Sequence, residues 1–146
     1  MEVNGYKIEP GANLIGVDLS NANLSRANLT GANLSGANFV NGDVQGSDLS
    51  ASNLRGANLK WVLFTNAKLL NAILADAVLI ETEFERAILA KADLSGADLT
   101  GANLAGTNLT QADLSGANLI EAKLTEPKLQ GAAMPKVADN NEEGKE

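Results

Sequence analysis

The chain of 146 residues contains no cysteine and no histidine. Those two absences exclude thiol nucleophiles, disulfides, thiolate- or imidazole-held metals and every acid–base scheme built on an imidazole. Carboxylates and hydroxyls are what remains for chemistry. Aromatic residues make up only 3%, too few for an ordinary core of mixed large side chains, so an architecture with many small, equivalent core slots is favoured. No run reads as a membrane span: the most apolar stretch, Val62 to Ile80, is interrupted by Asn66, Lys68, Asn71 and Asp76, each costly in a bilayer core. Met1 to Pro10 lacks the charged-then-apolar pattern of a secretory leader, and a cysteine-free chain suits a reducing compartment. The expectation is a cytoplasmic protein with no membrane span.

What the chain does have is apolar content, 45%, enough to exclude a fully disordered polymer. Its arrangement is periodic. Stepping by five from Leu14 gives Leu19, Leu24, Leu29, Leu34, Phe39 and Val44, and the series runs on through Leu129 to Met134 with an apolar residue at every step. Two residues before each lies a small residue, usually alanine, as at Ala22, Ala27 and Ala32. Asn or Asp commonly stands between, as in Asn23, Asn28, Asp48 and Asp93. The unit is A-[ND]-L-x-x.

A period of five fits neither an α-helix at 3.6 nor a strand at 2.0. Five helical residues rotate by about 500°, which would spread the leucines around the helix. A chain that turns a corner every five residues keeps the leucine and the alanine inside and places Asn, Asp, Ser and Gly where tight turns accept them. Glycine recurs at steps of twenty, at Gly16, Gly36, Gly56, Gly96 and Gly116, with Asp76 the one exception. Four pentads therefore close one coil. From Ala12 to Lys136 that makes about six coils, roughly 29 Å long at the spacing of neighbouring strands.

A-[ND]-L-x-x in unbroken register resembles the pentapeptide repeat family, and the resemblance covers most of the chain. It implies an all-β right-handed quadrilateral parallel β-helix, a pentapeptide repeat solenoid, and speaks to fold far better than to function. The expected organisation is an N-terminal cap at 1–11, in which Val3, Tyr6 and Ile8 fold over the first coil, the β-helix at 12–136, and a disordered acidic tail at 137–146. Members of the family are especially abundant in cyanobacteria.

The segment from Lys60 to Ala90 departs from the refrain: it has no glycine, and bulky apolar residues and charges crowd it. Leu70, Ile73, Leu74, Ala77, Ile80 and Phe84 fall at helical spacings, so local pattern alone is ambiguous. However, Phe64, Leu69, Leu74, Leu79, Phe84 and Leu89 stay in pentad phase. An inserted helix has no reason to keep that phase, so the coil is expected to continue. Phe64 and Phe84 then share one inward column and should stack, locally widening the core. The outward addresses change instead. Trp61, Leu63, Val78 and Ile80 gather near one corner, and Leu70, Ile73 and Ile88 near the opposite one. Exposed apolar surface of this kind marks a candidate partner-binding site.

Other residue groups carry less. Asn13, Asn33 and Asn53 stack in one column, an arrangement in which amides can form a hydrogen-bonded ladder. Asp93 and Asp113 continue that column, but too few ligands converge for calcium. No cofactor or metal is expected, and a narrow solenoid filled by leucine and alanine offers no cleft for catalysis. The last coil exposes unpaired backbone groups, so self-association, end to end or through the apolar patch, is a second expectation.

Some members of the family are similar to duplex DNA in width and charge and act on DNA gyrase as mimics. The whole chain carries a net charge of −7, but the repeat region has twelve carboxylates against nine cations, a net −3. Duplex DNA carries one charge per about 1.7 Å, far more than this solenoid presents. The leading expectation is therefore a non-enzymatic structural or protein–protein interaction module with an unknown protein partner and no direct nucleic-acid binding. The DNA mimic that binds gyrase or topoisomerase is the alternative.

Overall fold

The computed structural model describes residues 1–136; the acidic tail expected at 137–146 lies outside the described residues. Two short antiparallel strands, β1 (Glu2–Val3) and β2 (Tyr6–Lys7), open the chain, with Glu2 opposite Lys7 and Val3 opposite Tyr6. The Asn4-Gly5 turn between them takes positive φ at both residues, 52° and 84°, the geometry that matches strand twist in a two-residue hairpin. After it, Ile8 is buried, and Val3 and Tyr6 pack against the core. The Asn4 side-chain amide donates to the backbone carbonyl of Asp18, tying the hairpin to the first coil.

From Asn13 onward every pentad makes one parallel bridge to the residue twenty positions later, from Asn13 with Asn33 through to Asp113 with Ala133. The result is a right-handed quadrilateral parallel β-helix. Four backbone bonds repeat in each pentad, one of them from the positive-φ corner residue to the coil ahead (Gly36 N–H to Arg55 C=O, 2.9 Å). The central leucine donates to the coil ahead (Leu34 N–H to Asn53 C=O, 2.7 Å), the preceding residue donates to the coil behind (Asn33 N–H to Ala12 C=O, 2.9 Å), and a turn bond closes each corner (Ala37 N–H to Leu34 C=O, 3.0 Å). The last corner residue has positive φ throughout. Glycine adopts this conformation freely, which is why it dominates the Gly16 column, whereas Trp61 at 65° and Glu81 at 55° hold it against the steric preference of L-residues.

The segment from Lys60 to Ala90 is coil like the rest. Asp43, Leu63 and Glu83 pair in succession, as do Asn53, Ile73 and Asp93. Phe64 and Phe84 are fully buried and stacked, with ring centroids 4.7 Å apart and planes 12° apart. The pairings across the rings persist. The inter-coil bonds from the corner residues Trp61, Asn66, Asn71 and Arg86 measure 3.1 Å, while those from Asp76 and Glu81 in the same segment measure 2.9 and 2.8 Å, so the coil is not uniformly slackened there.

The ladder open to the asparagine column is not formed: Asn13, Asn33 and Asn53 stack, but no hydrogen bond joins their amides among the described residues. The Asn33 and Asn53 oxygens are instead turned to their own corners: Asn33 Oδ1 accepts from Ser35 N–H and Asn53 Oδ1 from Arg55 N–H. This local Asx bond outcompetes a ladder because its partner is two residues away and already oriented by the turn.

In the coil that follows Phe39, the small inward addresses are held by Gly42, Ser47, Ser52 and Ala57. The hydroxyls of Ser47 and Ser52 are buried without a hydrogen-bond partner, whereas Thr82 and Thr107 donate to the carbonyls of Leu59 and Leu104. An orphaned buried hydroxyl costs about 1–3 kcal/mol. Ser47→Ala and Ser52→Ala should each raise stability by about 1 kcal/mol in urea titrations, because alanine fills the same address in most coils; a loss of stability would show that the hydroxyls are satisfied.

Candidate protein-interaction surface

The surface is governed by the residue just before each central leucine. In regular coils its side-chain oxygen accepts the N–H of the residue two positions on: Asn23 from Ser25 at 3.0 Å, Asn38 from Val40 at 3.0 Å, Asp48 from Ser50 at 3.0 Å, Asp98 from Thr100 at 3.1 Å. Because the accepting side chain lies outside the coil, these N–H groups point outward. From Leu63 to Ile88 the address is held by Leu63, Lys68, Ile73, Val78, Glu83 and Ile88, none of which makes this bond. The N–H groups of Thr65, Leu70, Ala75, Ile80, Glu85 and Ala90 consequently have no acceptor among the described residues. The central band has given up its Asx caps, to apolar side chains at Leu63, Ile73, Val78 and Ile88 and to charged ones at Lys68 and Glu83.

The seven candidate residues divide as the columns require. Trp61 and Leu63 are exposed, 43% and 38%, with Val78 and Ile80 half-buried beside them. Leu70, Ile73 and Ile88 are exposed around the opposite corner. The structure thus forms two apolar corners rather than one continuous patch. Along its own column each outward aliphatic has polar neighbours, Leu63 between Asp43 and Glu83, Ile73 between Asn53 and Asp93, Val78 between Asn58 and Asp98, Ile88 between Lys68 and Asn108. They gain little from one another vertically.

Trp61 is fixed in place. Its indole N–H donates to Glu81 Oε1 at 2.8 Å, and Lys60 Nζ stands 4.2 Å from the ring centroid, a cation–π distance. The sequence alone did not single out Lys60 and Glu81 as its partners. The signal was there: Glu81 lies twenty residues after Trp61, hence directly over it.

Among the described residues the one ion pair is Arg55 with Asp76, at 3.4 Å. It is exposed and contributes little. Asp113 lies in the column once weighed for calcium, and its carboxyl is instead held by Ser115, whose hydroxyl at 2.6 Å and N–H at 2.9 Å keep it below its usual pKa of 3.8. Asp18 is lowered the same way, by Ser20. A depressed carboxyl stabilises the fold above its unfolded pKa and loses that contribution as pH falls through the folded value. That contribution is therefore lost progressively as pH falls below about 4. In an NMR titration Ser115→Ala should move the Asp113 midpoint upward; an unchanged midpoint would mean that the hydroxyl is not its anchor.

The model of the family described as pentapeptide repeats (8 copies) matches residues 11–46, 43–79, 71–106 and 102–137. HetL, a pentapeptide repeat protein involved in heterocyst differentiation regulation from the cyanobacterium Nostoc sp. strain PCC 7120, is 33% identical, with a TM-score of 0.55 over 88% of this chain and 72% of its own. A trypsin-treated form of QnrB1, a plasmid-mediated fluoroquinolone resistance protein, is 21% identical, with a TM-score of 0.50 over 85% of this chain and 72% of its own; at that identity the likeness is one of fold. No curated protein matches the sequence significantly.

Proposed function

The chain belongs to the pentapeptide repeat family, and from that premise we propose that it is a non-enzymatic protein-interaction module whose recognition surface is the central band, Trp61 to Ile88. The observation that carries this reading is the exchange in that band: Asx caps are given up where apolar side chains are turned outward. Six consecutive Asx caps change there while the central inward residues from Phe64 to Leu89 stay apolar and buried. The filled leucine and alanine interior supports a role without catalysis. No helix of the described residues is long and apolar enough to cross a membrane. The reading includes cytoplasmic residence, supported by the lack of cysteine. It also assigns residues 1–11 as a cap on the solenoid 12–136.

The test uses substitutions that restore the repeat. Leu63→Asn with Val78→Asn puts back the acceptors for Thr65 and Ile80 N–H, so the fold should hold. Quantitative affinity capture from a source lysate should lose at least tenfold of its specific partner with this variant. Equal capture by both forms would contradict the reading.

Self-association has its own support. Leu124, Leu129 and Met134 occupy inward addresses yet are 36%, 37% and 41% exposed among the described residues, against 0% for Leu104 and Leu109. Sedimentation over a hundredfold concentration range should show a dimer that Leu124→Ser with Leu129→Ser disperses; a monomer throughout would remove this reading. The gyrase-directed DNA mimic has weaker support, because cations offset most of the carboxylates and the net negative charge is concentrated on residues 81–100 rather than continuous along the axis. Micromolar protein is expected to leave DNA supercoiling by gyrase unchanged, and potent inhibition would reverse the preference.

A further inference from the structure

The negative charge of the repeat region is concentrated on one coil. Residues 81–100 hold Glu81, Glu83, Glu85, Asp93 and Asp98 against Arg86 and Lys91, a net −3, while residues 61–80 hold only Lys68 and Asp76 and are neutral. Three of those carboxylates lie in one row. Glu83 stands mid-face between the corner residues Glu81 and Glu85, and the three alternate with the buried Thr82 and Phe84, so all three lie on the outside of one side of the coil. Directly beneath them, twenty residues earlier, are Trp61, Leu63 and Thr65, with Leu63 bridged to Glu83. An acidic row thus overlies an apolar one at a single strand spacing, and Val78 and Ile80 extend the apolar side around the corner.

None of the three glutamates has a cationic partner within ion-pair distance among the described residues. Glu81 accepts from the Trp61 indole and Glu83 Oε1 from the Asn103 amide at 3.1 Å, neutral donors that orient the carboxylates without cancelling their charge. The indole ring meanwhile has a cation beside it, Lys60 Nζ. A surface with an aromatic ring that accepts a cation, an aliphatic floor and an uncompensated carboxylate row is complementary to one chemistry. We propose that this corner docks an extended segment of a partner protein in which arginine or lysine side chains adjoin apolar ones, the cations meeting Glu81, Glu83 and Glu85 and the apolar groups covering Trp61, Leu63 and Ile80.

This inference rests on the central band being a protein-binding surface and adds the charge of its occupant. Electrostatic complementarity of this kind selects partners and speeds encounter, and it weakens with salt. Acidic partners and nucleic acid are repelled by the same row.

The test measures binding of three fluorescein-labelled peptides, alternating arginine with leucine, serine with leucine, and glutamate with leucine, by anisotropy at two salt concentrations. The arginine peptide should bind at least tenfold tighter than the serine peptide, the glutamate peptide should not bind, and raising salt should erase most of the difference. Glu81→Gln, Glu83→Gln and Glu85→Gln together should remove the arginine preference. Asp18→Asn with Asp113→Asn, remote carboxylates changed by two charges, should leave it. Trp61→Gly with Leu63→Asn, both residue types native to those addresses elsewhere in the solenoid, should weaken the arginine and serine peptides alike. If the serine peptide binds as well as the arginine peptide and the glutamine variants change nothing, the charge inference falls and the apolar surface stands. If the remote pair matters as much as the glutamates, the attraction is nonspecific and the inference falls. If Trp61→Gly with Leu63→Asn has no effect, or no peptide binds, the corner is not a docking surface and both readings fall.

Discussion

Phe84→Ala will destabilise the protein by about 3–5 kcal/mol, the range for emptying a buried phenylalanine site. Phe84 is fully buried and faces the Phe64 ring at 4.7 Å, so no solvent-side relaxation can refill the space. The coils above and below are fixed by backbone bonds on all four sides, which limits collapse. Part of the loss belongs to the pair: a double-mutant cycle with Phe64→Ala should return a coupling of about 0.5–1.5 kcal/mol for the stacked rings. Urea unfolding of the four proteins measures both quantities. A loss under 1 kcal/mol would mean that the column is not a packed core.

A larger contrast is expected between two adjacent residues. Leu74→Asp should prevent folding or cost more than about 4 kcal/mol, because the carboxylate would enter an apolar interior with no partner. Ile73→Asn, one residue earlier, should be tolerated, with stability unchanged or higher by about 0.5–1 kcal/mol. The asparagine gives Ala75 N–H the acceptor it lacks, and the isoleucine it replaces sits between Asn53 and Asp93, where it has few apolar neighbours to lose. In a helix both residues would lie on the apolar face and both changes would be harmful. Circular dichroism and urea titration of the two variants separate the alternatives, and equal damage from both would refute the coil.

The inward half of this molecule was legible because its code is redundant. Every central apolar residue from Leu14 to Met134 repeats one instruction, and twenty-step glycines count the corners, so even a segment rich in helical spacings could be assigned by phase. The outward half was harder to read. Asn and Asp were visible as turn residues, but the sequence does not say whether a stacked amide bonds upward or to its own corner; the geometry of the turn decides that, and it decided against the ladder at Asn33 and Asn53. Nor could the pattern show that Leu63 and Val78 leave an N–H bare, since the cost appears only once the Asx bond is known. The packing of Val3, Tyr6 and Ile8 against the core was legible from their apolar character, though the Asn4-Gly5 turn signal that forms the hairpin went unused. Trp61 was legible as an outlier and its clamp by Lys60 and Glu81 was not, because cation–π and indole contacts depend on rotamers rather than register. The two orphaned hydroxyls, Ser47 and Ser52, are serines and the two that reach a carbonyl, Thr82 and Thr107, are threonines; the pattern of small residues showed the address but not which hydroxyl would be satisfied.

Amide hydrogen exchange followed residue by residue tests the central claim most directly, namely that the band from Lys60 to Ala90 is continuous coil with its outer caps removed. The N–H groups of Leu69, Leu74 and Leu79, which donate to Ile88, Asp93 and Asp98, should be as protected as those of Leu29 and Leu109. Those of Leu70 and Ile80 should exchange at least tenfold faster than those of Ser50 and Thr100, which Asp48 and Asp98 hold. Uniform protection of Leu70, Ile73, Leu74 and Ala77, without this alternation, would contradict the account.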